Sequence, residues 1–147
     1  MKQLSFIAFI IFLLSAFLYS GCELFQRDCY CSNYAAEELT LNDTVELRYS
    51  ELYCNSKYEF RLSFDSLSDG RCPIGMLCLW EGNARVKLII QQPGKNISTF
   101  WLNTFDGFLT DTTVYGIHYE LIDLLPYPDV DKDYSLDDFI LHLKISD

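Results

Sequence analysis

Beyond residue 43, hydrophobic and polar residues alternate along most of the chain. Between residues 57 and 65, tyrosine, phenylalanine and leucine occupy every second position, and charged or small polar residues lie between them. A period of two places one set of side chains on the buried face of a β-strand. The period recurs elsewhere, so strands are predicted over residues 44–52, 57–65, 79–91, 97–103, 108–114, 117–121 and 139–145.

Short strands at near-regular spacing, with no amphipathic helix between them, are typical of all-β domains. We therefore predict one antiparallel β-sandwich over residues 44–147, immunoglobulin-like and of about seven strands, with a small barrel as the alternative fold. The turn at residues 92–96, which contains a Pro-Gly pair, is expected to join two strands in a hairpin. Pro126 and Pro128 are expected to stop a later strand.

The N-terminal residues have a different pattern. Lys2 is followed by a 15-residue apolar run from Leu4 to Leu18, which is shorter than the ~20 residues of a membrane-spanning helix. A basic start, a short apolar run and small residues after it indicate a secretory signal peptide, residues 1–21. An uncleaved N-terminal anchor is the alternative interpretation.

The residues after the apolar run indicate a lipid anchor. Ser20 and Gly21 directly precede Cys22, and this arrangement resembles the lipobox of bacterial lipoproteins, in which the cysteine is acylated and becomes the new N-terminus. Two or more acyl chains, such as palmitate, hold a protein stably at a membrane. Residues 22–43 are polar and are predicted to be the tether. We expect a cell-envelope lipoprotein anchored in the outer membrane, on either its periplasmic or its surface face.

Charge and composition exclude some partners and most enzyme classes. Acidic residues outnumber basic ones by 21 to 11, which gives a net charge of −10, so we expect no nucleic-acid partner. The histidines, His118 and His142, lie within predicted strands, and the sequence has no serine elbow and no His-Glu metal pair. No catalytic residue is therefore predicted, and the protein is not expected to be an enzyme.

The cysteines indicate an oxidising compartment. If acylation uses Cys22, five cysteines remain, which is enough for two disulfides and one unpaired thiol. Cys72 and Cys78 are expected to close a short loop, and Cys54 is expected to pair with either Cys29 or Cys31. A thiolate metal site at residues 29, 31 and 54 lacks a fourth ligand nearby, so no metal or cofactor is expected.

Residues 69–84 contain the densest cluster of unusual residues. They follow the pattern Asp-x-Arg-Cys-Pro, four residues, Cys-x-Trp-x-Gly, which resembles that of small uncharacterised bacterial secreted proteins and lipoproteins. The resemblance implies a small extracytoplasmic β domain and adds no activity. The match covers Asp69, Arg71, Cys72, Pro73, Cys78, Trp80 and Gly82.

Two interpretations of this segment are open. In the first, the segment is a loop closed by the disulfide, which we call the stapled corner. It stabilises the sandwich, with Asp69 and Arg71 paired across it. In the second, it is a recognition loop, because a preorganised loop loses little entropy on binding. Its apolar residues must be covered either by a partner or by the core of the domain itself. The candidate recognition residues are Arg71, Pro73, Ile74, Met76, Leu77 and Trp80.

An acidic segment near the C-terminus resembles the start of a calcium loop. Asp129, Asp131 and Asp133 alternate there, but an EF-hand also needs Gly at its sixth position and Glu at its twelfth. Those positions hold Tyr134 and Ile140, so the segment is not an EF-hand. It is predicted to be either a weak calcium site or a solvated acidic turn.

These observations favour a non-catalytic binding or structural module of the cell envelope. The partners expected are the membrane, through the lipid anchor, and an envelope protein or a glycan. Two alternatives are an envelope hydrolase that uses acidic residues and a protease inhibitor that presents the loop of residues 72–78.

Overall fold

Two β-sheets pack face to face to form a sandwich. The structure is a computed structural model, and it describes residue 31 and residues 33–147. The strands are β1 (Glu37–Glu38), β2 (Asp43–Arg48), β3 (Leu52–Asn55), β4 (Phe60–Asp69), β5 (Ala84–Gln91), β6 (Ser98–Asn103), β7 (Asp111–Val114), β8 (Ile117–Leu125) and β9 (Ile140–Ser146), with a 3₁₀ turn at Leu136–Asp138.

The first sheet has the order β1-β3-β4-β5-β6, and the second has the order β2-β9-β8-β7. All pairings are antiparallel except that of β1 with β3. Neither sheet closes into a barrel, so the predicted all-β sandwich is confirmed. Apart from β1 and β2, each sheet is a meander of consecutive strands. An immunoglobulin domain instead distributes alternate strands between its sheets.

The predicted alternation describes the core correctly. In β5 and β9 every second side chain is buried, and β4 follows the same rule as far as Phe64. These side chains interdigitate between the sheets, where each large apolar side chain contributes roughly 1.5–3 kcal/mol on burial. The fully buried positions include Phe60, Leu62, Phe64, Val86, Leu88, Ile90, Leu141, Leu143 and Ile145.

Several strand boundaries differ from the predicted ones, and three of the differences change how the chain is placed. The segment 44–52 is not one strand, because Ser50 adopts a positive φ of 61° and the chain crosses to the other sheet after Arg48. The segment 79–91 becomes a strand only at Ala84. Strand β8 continues beyond residue 121 to Leu125 through a bulge, which leaves Ile122 exposed and restores alternation after it.

The described part of the predicted tether belongs to the sandwich. Strand β1 pairs with β3, and Leu39 is buried in the core. A disulfide between Cys31 and Cys54 joins the entering chain to β3. The folded domain therefore begins before residue 44. The predicted signal peptide, Cys22 and residues 22–30 of the tether lie outside the described residues. In the described residues, 31 and 33–147, no helix is long and apolar enough to cross a membrane.

The two ends of the sandwich differ in what they present. The chain enters at one end, the base, where Cys54 pairs with Arg61 near the start of β4. The opposite end, the loop end, begins where Asp69 pairs with Ala84. Eight residues of β4 separate these pairs, which places the loop end about 25 Å from the base. The loop end consists of the connections 70–83, 104–110 and 126–139.

Candidate functional site

The cysteine loop, residues 70–83, extends the hairpin of β4 and β5 beyond the sheet. The N–H of Gly70 donates to the Asn83 carbonyl at 2.9 Å, and the N–H of Cys72 donates to the Glu81 carbonyl at 2.7 Å. At Gly82, φ is +78°, and a Cβ would lie 2.1 Å from the Gly70 carbonyl oxygen. Only glycine fits there, and the two sides of the loop can therefore approach closely.

The Cys72–Cys78 disulfide closes the loop, as predicted. Of the two partners proposed for Cys54, the structure selects Cys31, and Cys29 lies outside the described residues. One disulfide therefore lies at the base of the sandwich and the other at its loop end.

Arg71 fixes the cysteine loop to the second sheet. Its guanidinium donates through Nε and Nη2 to the Asp69 carboxylate at 2.9 and 2.6 Å. It also donates to the carbonyl oxygens of Leu124 at 2.6 Å and Pro126 at 3.0 Å, and it lies 4.7 Å from the Tyr127 ring centre. Arg71 is only 6% exposed. Arg71, which was predicted as a recognition residue, therefore belongs to the stapled corner and not to the exposed tip of the loop.

The tip of the loop, in contrast, is exposed. Leu77 and Leu79 are 104% and 106% exposed, so folding covers neither side chain. Ile74, Met76 and Trp80 are each more than half exposed, and Pro73 is half-buried. The backbone of Ile74 is nevertheless fixed, because it exchanges hydrogen bonds with Pro128 and Val130. The core of the domain therefore does not cover the apolar residues of this tip.

Aromatic residues of the next connection continue the exposed surface. Trp80 packs edge-to-face on Phe105 with ring centres 5.6 Å apart, and Phe105 packs on Phe108 at 5.8 Å. Phe108 was predicted to begin a strand. Phe105 lies 25 residues beyond Trp80 in the sequence, which gives no sign of the contact between their rings. We call the combined exposed set the loop-end apolar surface: Ile74, Met76, Leu77, Leu79, Trp80 and Phe108.

A concave pocket of about 250 Å³ borders this surface. The residues that line it include the aromatic residues Phe105 and Tyr127 and the acidic residues Glu81, Asp106 and Asp123. We call it the carboxylate pocket. The three acids come from the cysteine loop, the 104–110 connection and strand β8. The sequence did not single them out, because they are brought together only by folding.

The charge of the carboxylate pocket is not balanced within the described structure. Arg71 also lines the pocket, but its guanidinium is already paired with Asp69. None of Glu81, Asp106 and Asp123 forms an ion pair with a described residue. One oxygen of Asp123 accepts the N–H of Leu124 at 2.8 Å. The pocket therefore carries an excess of negative charge beside exposed apolar side chains.

The acidic segment at residues 129–138 is organised by internal contacts. The Asp129 carboxylate accepts the Asp131 N–H and pairs with Lys132 at 3.1 Å, and these contacts, in that order of importance, lower its pKa. Asp138 caps Ser135. In residues 33–147, no group of three His, Cys, Asp or Glu side chains is placed to hold a metal. Asp129, Asp131 and Asp133 thus do not converge, and the solvated turn is the better interpretation.

The two histidines lie on strand faces, as predicted. His118 of β8 contacts the Thr113 hydroxyl at 3.2 Å, and His142 of β9 lies 3.7 Å from Glu46 across a strand pair. Neither is part of the carboxylate pocket.

Comparisons with known proteins found no match: no protein-family model, no curated protein and no solved structure matches this chain. The resemblance carried by the cysteine-loop motif therefore stays a prediction.

Proposed function

We propose that the protein is a lipid-anchored, non-catalytic binding module of the bacterial cell envelope. In this proposal the acylated Cys22 holds the domain at the outer membrane, and the loop-end apolar surface docks on a protein partner. The two disulfides support an oxidising compartment.

One observation carries the proposal: the most exposed apolar side chains lie on the most constrained loop. Leu77 and Leu79 gain nothing from folding, whereas burial under a partner stabilises a complex by roughly 1.5–3 kcal/mol for each leucine. A disulfide, the Arg71 contacts and a backbone ladder fix the loop before binding. Little ordering entropy is then lost on association. Large exposed apolar patches on soluble domains mark interaction sites.

The chemistry of the surface favours a protein over a glycan. Leucine, isoleucine and methionine side chains offer no hydrogen-bonding partner to sugar hydroxyls. Methionine and aromatic residues are enriched in protein interfaces, and tryptophan is frequent among the residues that dominate binding energy. Met76 and Trp80 supply those types at the centre of the surface.

The shape of the domain favours a partner on the side away from the lipid anchor. The chain enters at the base, and the loop end lies about 25 Å further along β4. A domain tethered through its N-terminus therefore presents the loop end outward. The net charge of −10 also disfavours contact between the domain and anionic lipids.

The experiment is site-specific photocrosslinking in native cells. A benzoylphenylalanine residue at position 77 is expected to form an adduct with one protein of defined mass, and the additional substitution Met76→Asp is expected to abolish it. The matched control places the crosslinker at Ile97, which is 62% exposed at the base. Equal adducts at positions 77 and 97 would contradict docking. An adduct that glycosidases digest would replace the protein partner with a glycan.

The carboxylate pocket favours a second candidate, an envelope hydrolase. Two carboxylates that flank a glycosidic bond suffice for hydrolysis, and three acids line this pocket. Hydrolysis of purified peptidoglycan that disappears in Asp123→Asn would establish this candidate.

The exposed, closed loop of residues 72–78 also fits a protease inhibitor, which is a protein-docking module with a protease as partner. Inhibition of an envelope or secreted protease, lost in Leu77→Asp with the loop left uncleaved, would identify it. Without inhibition, a protease partner is excluded and the general docking proposal is unaffected.

A further inference from the structure

The carboxylate pocket and the loop-end apolar surface share a border. Trp80 packs on Phe105, and Phe105 forms part of the pocket wall. Ile122, which also lines the pocket, is about half exposed. A protein that covers the apolar surface therefore also covers the mouth of the pocket.

Covering the pocket has an electrostatic consequence. Glu81, Asp106 and Asp123 have no ion-pair partner in the described structure. Moving unpaired carboxylates out of water is strongly unfavourable. Arg71 does not relieve this, because its charge is paired with that of Asp69, and four of its five N–H donors are already used. The partner must therefore bring positive charge to this point of the interface.

The size and walls of the pocket restrict the form of that charge. Its volume of about 250 Å³ lies below the roughly 300–1,000 Å³ of small-molecule sites, which favours a single side chain. No three acidic side chains in the described ranges converge closely enough to bind a metal ion. The Tyr127 ring already lies against the Arg71 guanidinium. The second aromatic residue of the pocket, Phe105, favours a planar, weakly hydrated guanidinium over an ammonium group.

From these constraints we infer that the carboxylate pocket receives an arginine side chain of the protein that docks on the loop-end apolar surface. The inference rests on the proposed function and specifies the partner: an apolar surface that carries an arginine. In the complex, the guanidinium donates to the pocket carboxylates and lies against Phe105.

The test uses a probe that does not require the partner. N-acetyl-L-arginine methylamide is titrated into the isotope-labelled domain at low ionic strength, and its neutral isostere N-acetyl-L-citrulline methylamide is the ligand control. The arginine probe is expected to shift the amide signals of Gly82, Thr104 and Ile122, which line the pocket, and citrulline is expected to leave them in place. Equal shifts with both probes, or tighter binding of the corresponding lysine derivative, would overturn the inference.

Two triple variants of equal charge change test the site. Glu81→Gln, Asp106→Asn and Asp123→Asn together should weaken arginine binding about tenfold, since each lost ion pair contributes a fraction of the binding energy. The control neutralises Glu37, Glu38 and Glu59, which are exposed at the base, and should bind as the wild type does. Equal weakening in both variants would mean non-specific attraction and would overturn the inference.

Two further variants keep the outcomes distinguishable. Asp106→Asn alone gives the same test if the triple variant does not fold, because Asp106 is exposed and makes no hydrogen bond to a described residue. Met76→Asp should abolish the crosslink from position 77 proposed above but keep arginine binding. A crosslink at position 77 without arginine binding would overturn this inference alone, and arginine binding without a crosslink would overturn the protein-docking proposal on which it rests.

Discussion

Replacing Arg71 with alanine is expected to destabilise the domain more than any other arginine substitution. The guanidinium is buried, and four hydrogen bonds connect it to Asp69, Leu124 and Pro126. The substitution leaves the Asp69 carboxylate, whose side chain is only 12% exposed, without its cation. It also leaves two carbonyl oxygens without their donor.

The magnitude follows from this burial. Breaking a buried ion pair by removal of one partner destabilises a protein by about 3–5 kcal/mol. The total stability of a domain is about 5–15 kcal/mol, so this loss is a large fraction of it. For a domain of this size, the melting temperature should fall by roughly 10–20 °C.

The assay is urea unfolding under oxidising conditions, with both disulfides intact. The matched control is Arg85→Ala, because Arg85 is exposed and contacts only the Trp101 ring, at 4.0 Å. Its loss should be about 1 kcal/mol or less. The double substitution Arg71→Met with Asp69→Leu should recover part of the stability, since it removes both charges together. Equal losses for Arg71→Ala and Arg85→Ala would refute the view that this residue fixes the corner.

Three other predictions concern Gly82, the two disulfides and the carboxyl group of Asp147. Gly82→Ala should destabilise the domain by about 3 kcal/mol, because the new Cβ would collide with the backbone. Gly94 also has a positive φ but its Cβ would lie in open space, so Gly94→Ala should destabilise the domain by only about 1 kcal/mol. Thermal unfolding of the two variants tests this difference. Removing the disulfide at the base should destabilise by about 3.4 kcal/mol, and removing the one in the cysteine loop by about 2.2 kcal/mol; the reverse order in urea melts would contradict the chain-entropy account. The Tyr58 hydroxyl, followed by other donors, lowers the pKa of Asp147 from 3.8 to about 2. This contact therefore stabilises the fold above pH 3.8 and is lost as the pH falls toward 2; Tyr58→Phe should raise the pKa toward 3.8 in an NMR titration.

The sequence predicts the strands because burial on one face imposes a period of two. The alternation in β4, β5 and β9 is sufficient to identify the core side chains without a structure. The prediction of strands from this alternation fails where the backbone turns at a residue that still fits the alternating pattern. The segment 44–52 keeps a plausible alternation through Ser50, yet the positive φ of that residue sends the chain to the other sheet. Side-chain polarity contains no information about that turn.

The candidate site is predictable only in part, for a similar reason. The cysteine loop is contiguous in sequence, so its disulfide and the Asp69–Arg71 pair can be inferred from spacing alone. The carboxylate pocket combines residues more than 40 positions apart. Glu81, Asp106 and Asp123 each look like ordinary surface acids, and their proximity depends on how the two sheets meet at the loop end.

At the loop end, the residues that hold the cysteine loop in place are different from those that are exposed to solvent, and this difference supports a binding role. Asp69, Arg71 and Gly82 turn inward and hold the corner. Leu77 and Leu79 turn outward and contribute nothing to the fold. Because a corner that served only stability would gain from burying its leucines or from polar residues in their place, the exposed apolar tip needs another cause. The docking of a protein partner that we propose would supply that cause, and the unbalanced carboxylates beside the tip are the reason for assigning a positive charge to this partner.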